Sequence, residues 1–275
     1  METLNLPAAR GYGEAMGLGW RLLRQRFWSF LWLCLLAGLL ALLPLIVVAL
    51  LQKFLPRLDL LWQLMLFLAL NVWIAAFFRA ISLALAGDRP SIAAFSGWLI
   101  RSNTWLIALL PALYALIIHL LYPTPPPGSP PSEVLHFFFS PGYLLIVLLG
   151  ILVSPWYQYA YALYAGGGCS PAEAYRLAVR IYGDRLRWLF LPLVLGLFVL
   201  LGAIVLGLAF ALLAALLGAG LKLLGAMVLA KILIKLLVLL YLAVFLCAAM
   251  VFVFASLSAA ATNLPRSPAA GGFQP

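Results

Sequence analysis

An asparagine and an arginine inside an apolar run are the first residues of this chain that invite a chemical reading. Asn71 and Arg79 lie within "LWQLMLFLALNVWIAAFFRAISLALAG", residues 61–87. If a helix runs on to Gly87, Arg79 sits about 12 Å short of its end at ~1.5 Å per residue. A charge at that depth is costly and marks a functional position. The plainer reading, which the sequence favours, ends the span near Phe78 and lets Arg79 snorkel to the surface. Asn71 reads as glue, a polar side chain bonded across to a neighbouring helix.

The densest charge lies in "SPAEAYRLAVRIYGDRLRWLF", residues 170–190. Ser170, Pro171 and Glu173 form the start signal of a helix: a capping hydroxyl, a proline at the first helical position and a carboxylate three residues on. Glu173, Arg176 and Arg180 are spaced by three and four and share one face, while Ala174, Leu177, Ala178 and Ile181 occupy another. Gly183 permits the turn that follows, Arg185 and Arg187 come next, and Trp188 is expected at headgroup level. A short helix of this kind lies in the membrane interface with its charge toward headgroups and water.

Other constellations are less specific. Tyr157, Tyr161 and Tyr164, in "SPWYQYAYALYAGGG" (154–168), share a face beyond a kink at Pro155. They read as an aromatic wall for an amphipathic ligand or, more plainly, as an interfacial belt. His119, Glu133 and His136 flank a proline-rich loop, but their spacing is irregular and there is no H-E-x-x-H, so no zinc site is expected. Lys231 and Lys235 read as an outer amphipathic helix or as a snorkelling extension of the last span. The sequence contains no P-loop, no G-x-S-x-G, no paired intramembrane carboxylates and no intramembrane histidine, His119 standing at the outer end of its span. Its seven acidic residues fall in loops, segment ends and termini, whereas proton-coupled transporters keep an ionisable acid in the core. Neither catalysis nor a cofactor is expected.

The elements that position these residues follow from composition. Of 275 residues, 67% are hydrophobic and 9% charged, against about 25% charged in soluble domains. Apolar runs of span length recur without alternation, which argues for helices and against a β-barrel. The fold class is therefore all-α: a polytopic membrane protein of about six transmembrane helices, roughly 28–51, 60–80, 104–122, 137–164, 187–213 and 235–260. Short amphipathic helices are expected on one side, within 1–27, 81–103 and 165–186. The loop 122–133 reads as extended, and 263–275 as a disordered tail after one membrane domain, 1–262. No cleaved leader is apparent, because the first apolar run is too long for one.

The formal charge of +10 implies no nucleic acid, because the basic residues sit at span ends, where they set orientation and meet anionic lipid. On the N-terminal side lie Arg10, Arg21, Arg24, Arg26, Arg79, Arg89, Arg101, Arg176, Arg180, Arg185, Arg187 and Arg266. The other side has Lys53, Arg57, Lys222, Lys231 and Lys235. That bias puts both termini in the cytoplasm, with Arg21, Arg24, Arg26, Arg176, Arg180, Arg185 and Arg187 as the headgroup-contacting set. Cys34, Cys169 and Cys247 are far apart in the chain and suggest neither a disulfide framework nor a metal site.

Three segments resemble one another: residues 15–36, 91–114 and 170–190. Each has a short helix, a polar break (Arg24-Gln25-Arg26, Arg101-Ser102-Asn103, Gly183-Asp184-Arg185), an aromatic (Trp28, Trp105, Trp188) and then a span. This similarity suggests three units of one interfacial helix and two spans, 11–80, 88–164 and 170–260; a basic, tryptophan-flanked helix end also looks like this at any membrane surface.

The stretches 77–95 and 154–195 resemble bacterial multi-spanning proteins grouped with the membrane domain of glycerophosphoryl diester phosphodiesterases. In that family a span ending in P-x-x-x-Y precedes a short basic helix headed S-P-x-E-A, a glycine break and the next span. Pro155, Tyr159, Ser170, Pro171, Glu173, Ala174, Arg176, Arg180, Gly183 and Asp184 fit this pattern. The family's esterase chemistry belongs to a separate soluble domain that these residues do not contain, so the resemblance implies a stand-alone membrane domain. Two functions are expected. The first is a non-enzymatic inner-membrane protein that organises membrane or supports a partner, a second copy or a lipid pathway. The alternative is a transporter or lipid translocator with a cavity near Arg79 and Asn71, motivated by Pro44, Pro111, Pro155 and Pro192 within or near the spans.

Overall fold

A backbone in hydrocarbon must satisfy its own polar groups, and a helix does so within one segment. The computed structural model describes residues 4–122, 130–167, 169–183, 186–223 and 227–262. Among them there are ten α-helices and no strand. In chain order they are α1 (Tyr12–Phe54), α2 (Asp59–Leu85), α3 (Ile92–Leu99), α4 (Ser102–Leu121), α5 (Pro131–Phe138), α6 (Pro141–Gly166), α7 (Pro171–Val179), α8 (Leu186–Leu189), α9 (Leu191–Leu223) and α10 (Met227–Ala261). Six of these, α1, α2, α4, α6, α9 and α10, are long and apolar enough to cross a bilayer.

The expected short helices are present, with differences. The first is continuous with its span: α1 bends at Arg26, whose φ of −128° and ψ of 21° leave the helical region. The second, α3, is capped by Ser91, whose hydroxyl accepts from Ala94 N at 3.2 Å. The third, α7, starts on Ser170, which accepts from Glu173 N at 3.3 Å with Pro171 in the first turn. The loop expected to be extended through 133 is already helical from Pro131; its stretch 123–129, the tail 263–275, Asp184 and Arg185 lie outside the described residues. Lys231 and Lys235 lie within α10 and are exposed, so they extend the last span.

Burial is concentrated at the end where the short helices gather. There the spans carry alanine: Ala75, Ala76, Ala80 and Ala84 on α2, Ala160, Ala162 and Ala165 on α6, and Ala255, Ala259 and Ala260 on α10 are all buried. Small side chains let helix backbones approach in lipid, where apolar burial alone gives no preference for another helix. α2 lies at the centre, packed against α1, α3, α4, α6 and α10. Phe78 stacks on Phe254 at 4.1 Å, and Trp73 stacks on Phe77 at 5.2 Å. The other halves of the spans, rich in leucine, leave residues such as Leu43, Leu148 and Leu201 exposed for lipid.

The tightest crossing joins α1 to α10. A Cβ on Gly19 would lie 2.5 Å from Ser256 Oγ and 2.7 Å from the Phe252 carbonyl oxygen, so only glycine fits against that backbone. Farther along the same pair, the thiols of Cys34 and Cys247 face each other despite their separation in sequence, and both are free. Substituting Gly19→Ala is expected to lower the melting temperature in detergent more than Gly17→Ala, whose added Cβ meets nothing within 4 Å. A membrane-permeable thiol oxidant is expected to join Cys34 to Cys247 within one chain, visible as a mobility shift on a non-reducing gel that Cys34→Ser abolishes.

Candidate functional site

The last carbonyls of a helix have no partner within it, and in an apolar setting each unsatisfied group costs several kcal/mol, order of magnitude. Three spans, α2, α6 and α10, end within the elbow layer formed by the α1 bend, α3 and α7. The ends of α6 and α10, and the turn just after α2, receive donors from elsewhere in the chain. Arg26, at the bend of α1, donates from Nη2 to Gly87 O at 2.7 Å and from Nη1 to Asp88 O. Gly87 itself, at φ +109°, turns the chain out of α2 in a conformation that suits glycine. Arg79 donates from Nη1 to Ala165 O near the end of α6 at 2.8 Å. The extended N-terminal segment completes the set: Leu4 N donates to Gly166 O at 2.9 Å and Ala9 N to Ala259 O at 3.2 Å.

This geometry corrects the favoured reading of Arg79. α2 continues to Leu85, so the span does not end near Phe78, and the half-buried guanidinium lies among helices. Its carbon sits 5.2 Å from the centre of the buried Trp98 ring, and Arg101 approaches the same ring at 5.5 Å. Guanidinium over indole is a favourable cation–π arrangement. Asn71 takes the glue role: its Nδ2 donates to Phe67 O at 2.8 Å while its Oδ1 accepts from Tyr161 OH at 2.9 Å, tying α2 to α6.

Of the three tyrosines read as a belt or wall, Tyr161 and Tyr164 are buried with hydroxyl partners in the protein, and Tyr157 is half-buried with its ring 6.3 Å from that of Tyr161. Tyr159 is buried as well. Tyr164 OH lies 3.5 Å from Thr104 Oγ1. One tyrosine serves a carbonyl that a proline cannot reach: Pro111 has no N–H to offer Ile107 O, and Tyr175 OH on α7 donates to that oxygen at 2.5 Å. Tyr159 OH donates to Trp188 O in the short α8 at 3.0 Å, tying α6 to it. Burial pushes the Tyr175 hydroxyl above the ordinary phenol range, so it stays a donor across physiological pH. Trp188, expected at headgroup level, is instead buried against Tyr12, with ring centres 5.6 Å apart.

The arginines expected at headgroups therefore divide. Arg26 bonds to the exposed turn that follows α2, at Gly87 O and Asp88 O. Arg21, Arg24 and Arg176 are exposed and Arg180 is half-buried. Glu173, Arg176 and Arg180 line a shallow polar recess of about 350 Å3 on α7 and the turn after it. Arg185 lies outside the described residues, as does the side chain of Arg187. Among the described residues no three of His, Cys, Asp and Glu come close enough to share a metal ion; His119 packs edge-on to Phe67, 6.1 Å between ring centres. Sequence reasoning missed Trp98, Thr104 and Tyr175. The only signal was the proline in the fourth span residue after Ile107, and no local pattern says which hydroxyl answers it.

These features define a multi-spanning helical membrane protein with a polar, hydrogen-bonded layer at one end of its bundle. No family model, curated protein or solved structure matches the chain.

Removing Tyr175 OH should leave Ile107 O without its donor, so Tyr175→Phe is expected to destabilise by about 1 kcal/mol. In a Pro111→Ala background the restored N–H serves that oxygen, and the same substitution should cost measurably less in thermal unfolding. Arg79→Leu should be more severe, about 1–3 kcal/mol, because it strips a charged donor from Ala165 O; Arg79→Lys should recover part of the loss.

Proposed function

We propose that this chain is a non-enzymatic integral protein of the bacterial cytoplasmic membrane, with both termini in the cytoplasm. Its elbow layer engages anionic lipid and so organises membrane or supports a membrane-protein partner, a second copy or a lipid pathway. The observation that carries this reading is the division of the arginines at one end of the bundle. Arg26 and Arg79 bond to other segments, while Arg21, Arg24 and Arg176 project outward from α1 and α7. Outward guanidiniums beside an anionic leaflet each gain about 1 kcal/mol. The arginine bias toward that side sets the orientation. The resemblance of residues 77–95 and 154–195 to the membrane domain of glycerophosphoryl diester phosphodiesterases supports the same membrane-domain reading.

The transporter reading asked for a cavity at Arg79 and Asn71. Both side chains bond to α6, an arrangement that favours a fixed bundle over a pathway. Replacing Arg176, Arg180, Arg185 and Arg187 by Gln is expected to reduce several-fold the phosphatidylglycerol that stays with the purified protein, read by mass spectrometry of extracted lipids. Unchanged lipid retention together with unchanged topology, read by cysteine labelling from each side of the membrane, would refute the proposal.

A further inference from the structure

An apolar hollow runs from the first elbow down between α9 and α10. It has a volume of about 420 Å3, and Trp20 and Leu23 of α1 form its upper edge. Its walls include Phe198 and Val205 on α9 and Phe245 and Phe252 on α10. The hollow exists because Gly202 offers no side chain: a Cβ there would meet only Phe245 Cε2, at 3.8 Å. Trp20 is 62% exposed at its mouth. Arg24 lies one helical turn beyond Trp20 on the same face and is also exposed, with Arg21 a turn before it. Nothing acidic lies on that stretch of α1 between Ala15 and Arg26.

We infer that this hollow holds one acyl chain of an anionic phospholipid whose phosphate is bound by Arg24 and Arg21. The inference rests on the proposed elbow–lipid reading and gives it a specific seat. Arg24 follows Trp20, at the edge of the apolar slot, by one helical turn, and Arg21 is its neighbour three residues back; charge beside an apolar slot matches the arrangement of a phospholipid's own parts. The slot follows α9 from Phe198 to Leu206, about 12 Å at ~1.5 Å per residue. That length suits the upper part of an acyl chain and falls well short of the ~20 residues of a partner's transmembrane helix. Arg26, two residues beyond Arg24, bonds instead to the turn after α2, so the phosphate falls to the outward pair.

The test uses the full-length protein purified in detergent, supplied with phosphatidylglycerol or phosphatidylcholine, and counts retained phospholipids by native mass spectrometry. The wild-type protein is expected to keep one phosphatidylglycerol that resists delipidation. Gly202→Leu, which fills the slot and leaves every charge in place, should lose it. Arg24→Gln should retain it about fivefold less while its weak retention of phosphatidylcholine stays unchanged. Should Gly202→Leu impair folding, Val205→Trp fills the same slot from a lipid-facing position and is read the same way. Wild-type retention in the slot-filling variant overturns the inference. If the variant lacking Arg176, Arg180, Arg185 and Arg187 still loses lipid, the elbow reading survives that result; if neither variant loses lipid, both fail. Equal retention of phosphatidylcholine and phosphatidylglycerol by the wild-type protein also overturns it, because the arginines would then not select the net anionic headgroup over the zwitterionic one.

Discussion

The last carbonyls of a helix need donors from outside it, and that requirement organises this molecule. The ends of α6 and α10 and the turn after α2 meet in one layer, and each accepts hydrogen bonds from another part of the chain. Arg26 reaches from the bend of α1, Arg79 from α2, and the amides of Leu4 and Ala9 from the N-terminal segment. Two of the donors are guanidiniums, which remain charged at any physiological pH and carry several N–H groups in a fixed fork. A positive group at a helix C-terminus also complements the helix dipole. The same contacts that satisfy the backbone therefore tie spans distant in sequence to one another.

Packing supports this arrangement from within. Alanines bring α2, α6 and α10 close, and Gly19 lets α1 rest on the backbone of α10. The aromatic rings of Phe77, Phe78, Phe95 and Phe254 fill what the small residues leave. Proline placement fits the same logic. Pro111, inside α4, removes an amide donor from Ile107 O, and Tyr175 replaces it from a different helix. A local defect in one span thus becomes a bond between two elements, which is how broken helices are tolerated in membranes. Away from the layer the spans separate into leucine-rich rods that meet lipid, and the α9–α10 hollow opens there because Gly202 leaves it unfilled.

Much of the architecture was legible in the sequence because span length and hydrophobicity act locally. Six runs of adequate length gave six spans, and Ser170 and Pro171 marked a helix start that a hydrogen bond bears out. The site was less legible. Arg79 and Arg24 look alike as residues at the edge of an apolar run, yet one closes a helix end and the other faces outward. Tyr161 and Tyr164 have the spacing of a belt and lie in the core. Trp28 and Trp188 occupy equivalent places in two similar segments, but Trp28 is 71% exposed and Trp188 1%. In each case the outcome depends on which helix lies opposite.

The sequence by itself determined the class, the number of spans, the start of α7 and the side on which the arginines collect. These properties follow from the free energy of placing single residues in lipid or water, and each residue carries that preference wherever its segment packs. Only the tertiary structure decided which arginines bond to other segments and which face outward, which tyrosine answers Pro111, and that Cys34 meets Cys247. Those are pairings between segments far apart in the chain. A hydrogen bond or close helix crossing is a property of two partners in one geometry, and neither partner's sequence names the other.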